Sequence, residues 1–174
     1  MKDVMLDLET FGTGPDAVIV QIGACFFDRA TGEIGETFKV NVTPKSAIES
    51  GAIMDADTVC WWMNQSEAAR KSILAEPQLD IETAMIQLNQ FLSPAKAIWS
   101  HATFDFVIVT QTLRRLKIKP KFRYQAARDI RTLNDLGKTA LTNTPSIRDG
   151  VHHDALEDCK FQVKYCVVAL NSLL

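Results

Sequence analysis

The opening run of the chain, Val4-Met5-Leu6-Asp7-Leu8-Glu9, sets two acids inside an apolar segment. Side chains alternate between the two faces of a β-strand, so Asp7 and Glu9 share one face while the leucines point into the apolar layer behind. Carboxylates side by side repel and raise one another's pKa unless a positive charge lies between them. Mg²⁺ prefers carboxylate oxygens, so the pattern favours a metal site. Taken alone, it also fits an exposed strand end whose acids face water.

Two further acids lie far downstream, each in a short motif. Asp105 closes the segment Ser100-His101-Ala102-Thr103-Phe104-Asp105, and Asp158 closes His153-Asp154-Ala155-Leu156-Glu157-Asp158. Ala97 to Ser100 has the composition of a short buried strand, and a helix through Leu113 and Leu116 is expected after it. An acid at this junction gains from the helix N-terminal dipole and can reach the edge of the sheet.

In order and spacing these motifs resemble the DEDDh 3′–5′ exonucleases over nearly the whole chain. Trp61-Trp62, Arg128-Asp129-Ile130-Arg131-Thr132-Leu133 and His153-Asp154-Ala155-Leu156 are similar to a compact bacterial or phage branch, described as exodeoxyribonuclease VIII-like or as exoribonucleases. The resemblance implies an α/β, ribonuclease H-like fold. Its mixed sheet would have five or six strands, an antiparallel three-stranded meander followed by parallel strands, with flanking helices.

The resemblance also implies a reaction, the metal-dependent hydrolysis of phosphodiester bonds at the 3′ end of single-stranded RNA or DNA. Nucleoside 5′-monophosphates would be released. Two Mg²⁺ or Mn²⁺ ions would be held by Asp7, Glu9, Asp105 and Asp158. His153 would be the general base, since imidazole has an unperturbed pKa near about 6.5. The spacing to Asp158 matches the family for His153 and is one residue too long for His152.

Candidate substrate contacts follow from the same resemblance. They are Thr10, Trp61, Trp62, Phe104, His101 and Arg128. Adjacent tryptophans on a helix point about 100° apart, which favours one packed inward and one facing a groove, where an aromatic ring can stack on a base. Structural packing of each is the alternative. His101 stands where the family has Asn, and a structural or supporting role is favoured for it.

Other charged residues receive structural interpretations. Arg128-Asp129 is either a simple ion pair or a support for the site from behind. Asp129, Asp154 and Glu157 are assigned to helix ends or to the surface. The basic cluster from Arg114 to Arg123 fits a solvated helix face, with a phosphate-guiding patch as the alternative.

Local patterns predict most of the elements between these motifs. A β-rich run from Val18 to Phe27 and a strand from Thr37 to Val42 are expected, joined by a hairpin connection. Helices are expected between Pro44 and Pro77, capped by Asp55 or Asp57 and by Ser66, and again from Ile81 to Leu92. The Gly12-Thr13-Gly14-Pro15 segment is expected to be a turn, and Thr142 to Val151 a loop before a final helix towards Leu174.

Length and composition bound the organisation of the chain. With 174 residues, 47% of them hydrophobic, we expect one exonuclease domain over residues 1–174. A net charge of −2 argues against coating long nucleic acid but allows a short, metal-held 3′ end. The four cysteines form no Cys-x-x-Cys pair and are interpreted as reduced, mostly buried thiols.

Location and assembly are expectations of the same kind. The sequence shows no signal peptide and no apolar run of about 18 residues, so a cytoplasmic protein without a membrane partner is expected. Many enzymes of this resemblance form homodimers. The stripe Val163, Val167, Leu170 and Leu174 suits internal packing or pairing equally.

Two other classes of function stay open on sequence alone. A metal-dependent endonuclease, or a phosphodiesterase acting on short oligonucleotides or small nucleotides, would use the same acids with a different end to the pocket. A non-catalytic nucleic-acid-binding module would keep the fold without turnover. Retention of such a repulsive acid cluster argues against the second class, because without a metal it costs stability.

Overall fold

The structure, a computed structural model, describes residues 1–144 and 147–173. Its centre is a mixed six-stranded sheet with the order β4-β3-β2-β1-β5-β6. β1 to β3 form an antiparallel meander, whereas β4, β5 and β6 each join a neighbour in parallel. The strands are β1 (Asp3–Thr10), β2 (Ile19–Phe27), β3 (Ile34–Val42), β4 (Gln78–Leu79), β5 (Ala97–Ser100) and β6 (Ala127–Asp129). The predicted sheet architecture is therefore confirmed.

Helices cover both faces of this sheet. They are α1 (Pro44–Glu49), α2 (Ala56–Met63), α3 (Glu67–Leu74), α4 (Ile81–Phe91), α5 (Val107–Arg115), α6 (Ile130–Leu136), α7 (Lys138–Asn143) and α8 (Ala155–Ser172). A π-helical turn, Ala102–Phe106, leads into α5, and a 3₁₀ turn, Tyr124–Ala126, precedes β6. Asp55 and Ser66 cap α2 and α3 by accepting hydrogen bonds from Thr58 N and Ala69 N. Ser66 was the predicted cap of α3, and Asp55 is one of the two candidates predicted for α2.

β1 is buried on both faces and separates two apolar layers. Val4, Leu6 and Leu8 belong to the larger cluster, which includes residues of α4 and α5. Met5 belongs to the smaller cluster with Cys159 and other residues of α8. Since side chains alternate along a strand, Asp7 and Glu9 share the face of Met5. The predicted separation of acids from leucines is confirmed, and it directs both acids towards the side of the sheet covered by α8.

α8 begins in direct contact with the middle of the sheet at Gly23. A Cβ at this position would lie 2.2 Å from the carbonyl carbon of Ala155, so only glycine allows this approach. Gly23 is the pairing partner of Asp7, and Cys159 Sγ donates a hydrogen bond of 3.3 Å to its carbonyl oxygen. The close approach therefore sets the first turn of α8 beside the acids of β1.

A buried polar network anchors the start of the same helix. Gln21 Oε1 accepts a hydrogen bond of 2.7 Å from Ala155 N. Asp154 caps α8 and receives hydrogen bonds from Lys39 Nζ and Ser72 Oγ. These contacts come from β2, β3 and α3, so three elements fix the backbone next to His153. The prediction that Asp154 belongs to a helix end is confirmed.

Several local predictions need correction. Strands β4 and β6 were not predicted. Arg128 and Asp129 are the last two residues of strand β6. Asp129 is still the cap of α6. α7 extends to Asn143, so the predicted loop starts later than Thr142, and Pro145, Ser146 and Leu174 lie outside the described residues. The remaining positions of the apolar stripe, Val163, Val167 and Leu170, pack against the smaller cluster.

The cysteines and the helices bear on two further expectations. Within the part of the chain described, all four cysteines are free, and Cys60 alone among them is exposed. This confirms the prediction that the thiols are mostly buried. Among residues 1–144 and 147–173, every helix is too short or too polar to cross a membrane.

Candidate active site

The face of β1 that carries Asp7 and Glu9 opens into a cavity of about 750 Å³. Its walls come from the end of β1, from α2, from the π-helical turn and α6, and from α8 with the segment before it. The lining includes all four predicted metal-binding acids and the predicted base: Asp7, Glu9, Asp105, Asp158 and His153. Motifs that are far apart in the sequence thus meet in one place.

The two acids of β1 are almost fully buried, each with 7% of its surface exposed. Asp7 Oδ1 accepts a hydrogen bond of 2.7 Å from Gln162 Nε2, a residue of α8 that is itself 5% exposed. The Oε1 atom of Gln162 has no hydrogen-bond partner among the described residues. The carboxamide of Gln162 therefore orients Asp7 through Oδ1, and Asp7 Oδ2 stays available to a ligand.

Asp105 lies in the π-helical turn and reaches the sheet through its backbone contacts. Its Oδ1 accepts from Leu8 N at 3.2 Å, and its Oδ2 accepts from His101 N at 2.9 Å. Leu8 can donate because β1 pairs with β5 only from Asp3 to Met5, which leaves its amide beyond the ladder. Asp129 Oδ2 accepts from Ala102 N, so Asp129 supports the turn from behind as one of the two predictions had it.

Asp158 lies in the first turn of α8 and forms an ion pair with Arg148. The guanidinium of Arg148 also lies 4.7 Å from the ring centroid of Phe161. Arg148 thus places a positive charge beside the acid cluster. Its Nε has no partner among the described residues, so the side chain is held by the carboxylate and the ring alone.

His153 lies in the turn before α8, with a backbone φ of 61°. Asp158, by contrast, lies within α8. The imidazole packs edge-on against Trp61 at 4.8 Å and Trp62 at 5.8 Å between ring centroids. Burial first, then the charges of His152 and Arg148, lowers the pKa of His153 to about 4. Its ring is therefore neutral at physiological pH, as a proton acceptor must be.

Comparison with known proteins identifies the chemistry of this arrangement. Residues 2–170 match the family model described as the 3′-5′ exoribonuclease Rv2179c-like domain. The chain belongs to this family. It is a 3′–5′ exonuclease, and the expected resemblance is confirmed.

Similar proteins support the assignment at two levels. An exodeoxyribonuclease of Enterobacteria phage T4 is 29% identical, and the alignment covers 98% of this chain and 90% of the phage protein. Exonuclease I from Methylocaldum szegediense superposes with a TM-score of 0.71 at 16% identity, over 97% of this chain and 40% of that one. The exonuclease thus spans well under half of the length of exonuclease I.

A third similar structure is the nuclease domain of 3′hExo, a DEDDh family member, bound to rAMP. It superposes with a TM-score of 0.64 at 14% identity, over 98% of this chain and 92% of that domain. At such identities the superpositions demonstrate the fold, which is the ribonuclease H-like fold expected from the sequence.

The electrostatics of the cluster fit a divalent cation. Burial is the largest cause of a raised pKa at each acid, and it raises the pKa of Glu9 to about 9 and that of Asp105 to about 7. The pKa of Asp7 is raised well above its usual range by burial and then by the charges of Asp105, Glu9 and Asp158. Four clustered carboxyl groups, whose charged forms repel one another, are a donor set suited to Mg²⁺ or Mn²⁺.

The potential ligand atoms fall into two groups. One atom each from Asp7, His101 and Asp105 lie within 4.8 Å of one another, and the same holds for Glu9, His153 and Asp158. The residues of these two groups are chemically suited to hold divalent ions.

The two tryptophans of this exonuclease divide as the helical geometry predicts. Trp62 is 4% exposed, and its Nε1 donates a hydrogen bond of 2.9 Å to Thr10 O. Trp61 is 44% exposed and lines the cavity. Thr10 lies at the same wall, where its Oγ1 donates to Gly12 O and closes the turn after β1. Trp62 and Thr10 therefore shape the wall, while Trp61 offers an accessible face.

Of the other predicted substrate contacts, two line the cavity and one does not. Phe104 and His101 line the cavity, and burial lowers the pKa of His101. Arg128 is exposed and donates to the carbonyl oxygens of Gln125 and Ala127, so the structure does not bring it into the cavity. Arg131, three residues further along in α6, lines the cavity instead.

Sequence reasoning missed several residues of the lining. They are Gln162, Arg131, Arg148, Phe161 and Tyr165. Gln162 lies four residues after Asp158, so a helix carrying one to the site carries the other, and this spacing was the available signal. Arg148 lies in the segment before α8, where no periodic pattern indicates direction.

Proposed function

We propose that this exonuclease hydrolyses the terminal phosphodiester at the 3′ end of single-stranded nucleic acid and releases nucleoside 5′-monophosphates. The observation that carries the proposal is the convergence of three buried carboxylates, the partly buried carboxylate of Asp158 and one neutral imidazole on a single cavity. Asp7, Glu9, Asp105 and Asp158 would hold two divalent ions, Mg²⁺ or Mn²⁺. Such ions supply a nucleophilic water at neutral pH and stabilise charge on the attacking and leaving oxygens.

His153 is the general base in this proposal. Its neutral ring can accept the proton of the attacking water, and the edge-on contacts with Trp61 and Trp62 restrain the ring at the cavity. His152 stacks on it at 3.8 Å between centroids but is exposed. The hydrogen bonds of Asp154 hold the backbone directly after His153. This supports a position of His153 that the fold sets before substrate binds.

Nonspecific aromatic contacts suit the binding of a single strand. Trp61 and Phe104 present rings to the cavity, and an aromatic face stacks on any base without reading its identity. Arg131 and Arg148 are the only Lys or Arg residues in the lining from the described part of the chain. We infer that they neutralise the phosphates nearest the 3′ end, while the protein makes few contacts further along.

The sugar is open to experiment. The family description names an exoribonuclease, whereas the phage T4 relative is an exodeoxyribonuclease. A single contact at the 2′ position can distinguish RNA from DNA.

A second candidate is a phosphodiesterase that prefers short oligonucleotides. The cavity of about 750 Å³ and its two basic residues favour a footprint limited to the 3′-terminal nucleotides. Since affinity for long strands depends on many phosphate contacts, such a site gains little from a longer substrate.

The deciding experiment is a time course on 5′-labelled single-stranded RNA and DNA of matched sequence, with Mg²⁺ or Mn²⁺. Wild type should produce a ladder that shortens from the 3′ end, and Asp7→Asn should not. Asp135→Asn, an exposed acid of α6, is the matched control and should retain the ladder. Internal cuts, or an unchanged ladder in Asp7→Asn, would contradict the proposal. Turnover of dinucleotides without a ladder would favour the second candidate.

A further inference from the structure

His101 occupies an unusual place at the cavity wall. It lies between β5 and the π-helical turn, and its backbone N–H donates to Asp105 Oδ2. Its ring Nδ1 lies 3.6 Å from the same oxygen, with 26% of the side chain exposed. This separation is too long for a hydrogen bond. The imidazole is therefore next to a carboxylate without being bound to it.

The ring of His101 also lacks other partners. Neither ring nitrogen forms a hydrogen bond with any residue in 1–144 or 147–173. Asp105 does not require the ring as a donor, because both its oxygens already accept from backbone amides. A neutral imidazole beside an acid cluster, with one nitrogen lone pair available, can act as a metal ligand.

The distances agree with a shared ion. Ligand atoms of Asp7, His101 and Asp105 lie within 4.8 Å of one another. Two ligands on opposite sides of an ion with bonds of about 2.1 Å are about 4.2 Å apart, so small side-chain rotations close the set. Gln162 supports this independently, since its buried carboxamide fixes one oxygen of Asp7 and its own Oε1 has no partner among the described residues.

We propose that a ring nitrogen of His101 joins Asp7 and Asp105 as a ligand of one of the two metal positions. The inference rests on the proposed two-ion site and adds a nitrogen donor to it. Imidazole favours transition-metal ions, whereas a site of carboxylates and water suits Mg²⁺. The preference of this exonuclease for Mn²⁺ or Co²⁺ over Mg²⁺ is therefore greater than that of a site with oxygen ligands alone.

The chain has three histidines, so mutation can show which of them donates a nitrogen to the metal. The test is pulsed electron paramagnetic resonance of Mn²⁺ bound to untagged protein in which His152→Asn and His153→Asn are combined. Histidine ¹⁴N coupling should persist in this double variant, because His101 is then the one histidine left. The coupling should disappear when His101→Asn is added, since a ligating amide oxygen places no nitrogen on the ion.

Calorimetry gives a second readout that does not depend on turnover. His101→Asn should weaken Mn²⁺ binding by about tenfold or more and change Mg²⁺ binding much less, by analogy with the 10–100-fold losses seen for metal-site residues. Mn²⁺ binding without ¹⁴N coupling in the double variant would overturn the inference and leave the exonuclease proposal intact. Failure of wild type to bind Mn²⁺ or Mg²⁺ at all would remove both.

Discussion

Gln162 Nε2 donates a hydrogen bond of 2.7 Å to Asp7 Oδ1, joining the last helix to the first strand across 155 positions of sequence. Asp158 lies one helical turn before Gln162 on α8. The same helix face thus supplies one acid to the cluster and orients another. The geometry of the candidate metal site therefore depends on how firmly α8 is seated on the sheet.

Replacing Gln162 by Met should impair metal binding without unfolding the protein. Methionine fills a similar volume but cannot orient Asp7, and loss of such a supporting contact weakens metal affinity by about 10–100-fold. Calorimetric titration with Mn²⁺ measures the loss. Gln87→Met, at an exposed position of α4, is the matched control. Equal affinities of wild type and Gln162→Met would mean that Asp7 needs no support.

Removal of Trp61 should affect substrate binding rather than stability. Its exposed ring lines the cavity, and stacking on a base contributes about 1–3 kcal/mol, so Trp61→Ala should raise KM for oligonucleotides while the Tm stays near that of wild type. Trp62→Phe is the contrasting variant. It breaks the hydrogen bond to Thr10 O and should lower the free energy of unfolding by about 1–3 kcal/mol. If Trp61→Ala lowered stability and Trp62→Phe raised only KM, Trp61 would be the structural residue and Trp62 the substrate contact.

Much of the site could be predicted because it depends on local sequence patterns. Alternation in β1 separates Asp7 and Glu9 from Leu6 and Leu8, and the structure has them so. Residue type indicated Asp55 or Asp57 as one helix cap and Ser66 as another, and Asp55 and Ser66 cap α2 and α3. Such signals act over a few residues, where backbone preference and side-chain chemistry decide the outcome.

The features that were missed depend on tertiary contacts. β4 and β6 have two and three residues, too few for any periodicity to show, and they exist because neighbouring strands offer free edges. Gly23 gave no sign that the backbone of Ala155 would approach it. Arg131 rather than Arg128 lines the cavity because Arg128 lies in strand β6, whereas Arg131 lies in helix α6.

Gly23→Ala tests the seating of α8 directly. The added Cβ would meet the backbone of Ala155, which cannot yield as a side chain can, so the start of the helix must shift. We expect a loss of about 1–3 kcal/mol in the free energy of unfolding, together with weaker Mn²⁺ binding as Asp158 moves. Denaturant unfolding and calorimetry measure the two effects. Gly14→Ala, where no atom lies within 4 Å, should change neither.

The metal-free protein should lose stability as the pH rises from 7 to 8. Burial raises the pKa of Glu9 to about 9, so folded Glu9 keeps a proton that the unfolded chain, with a pKa near about 4.3, has already released. The folded state then binds more protons, and stability falls with pH, by up to about 1.4 kcal/mol per unit for one proton. His153, whose pKa is lowered to about 4, acts in the opposite direction but mainly below pH 7.

Thermal unfolding in chelator at several pH values measures this slope. Glu9→Gln should flatten it, whereas Glu82→Gln, on the exposed face of α4, should not. Saturating Mn²⁺ should also remove the slope, because a bound ion keeps the carboxylates ionised. A metal-free Tm that rises between pH 7 and 8 would show that the acids are not protonated in the folded state.

Asp7→Asn should make the metal-free protein more stable while abolishing its activity. The asparagine keeps the acceptor for Gln162 Nε2 but removes a buried carboxyl that three neighbouring acids repel. A rise of a few degrees in Tm is expected in chelator, since about 1 kcal/mol shifts the Tm by about 2–4 °C in a chain of this size. Asp135→Asn, outside the cavity, should leave the Tm unchanged.

The same variant should reverse its rank when metal is added. Wild type gains stability from any ion that binds only the folded state, and the gain grows with the ratio of free ion to Kd. Asp7→Asn has lost a ligand and should gain less, so the two melting curves should cross as Mn²⁺ is titrated. A variant that is less stable than wild type in chelator would indicate that Asp7 is a structural acid. The cluster would then be held together by Arg148 and the backbone amides rather than prepared for a cation.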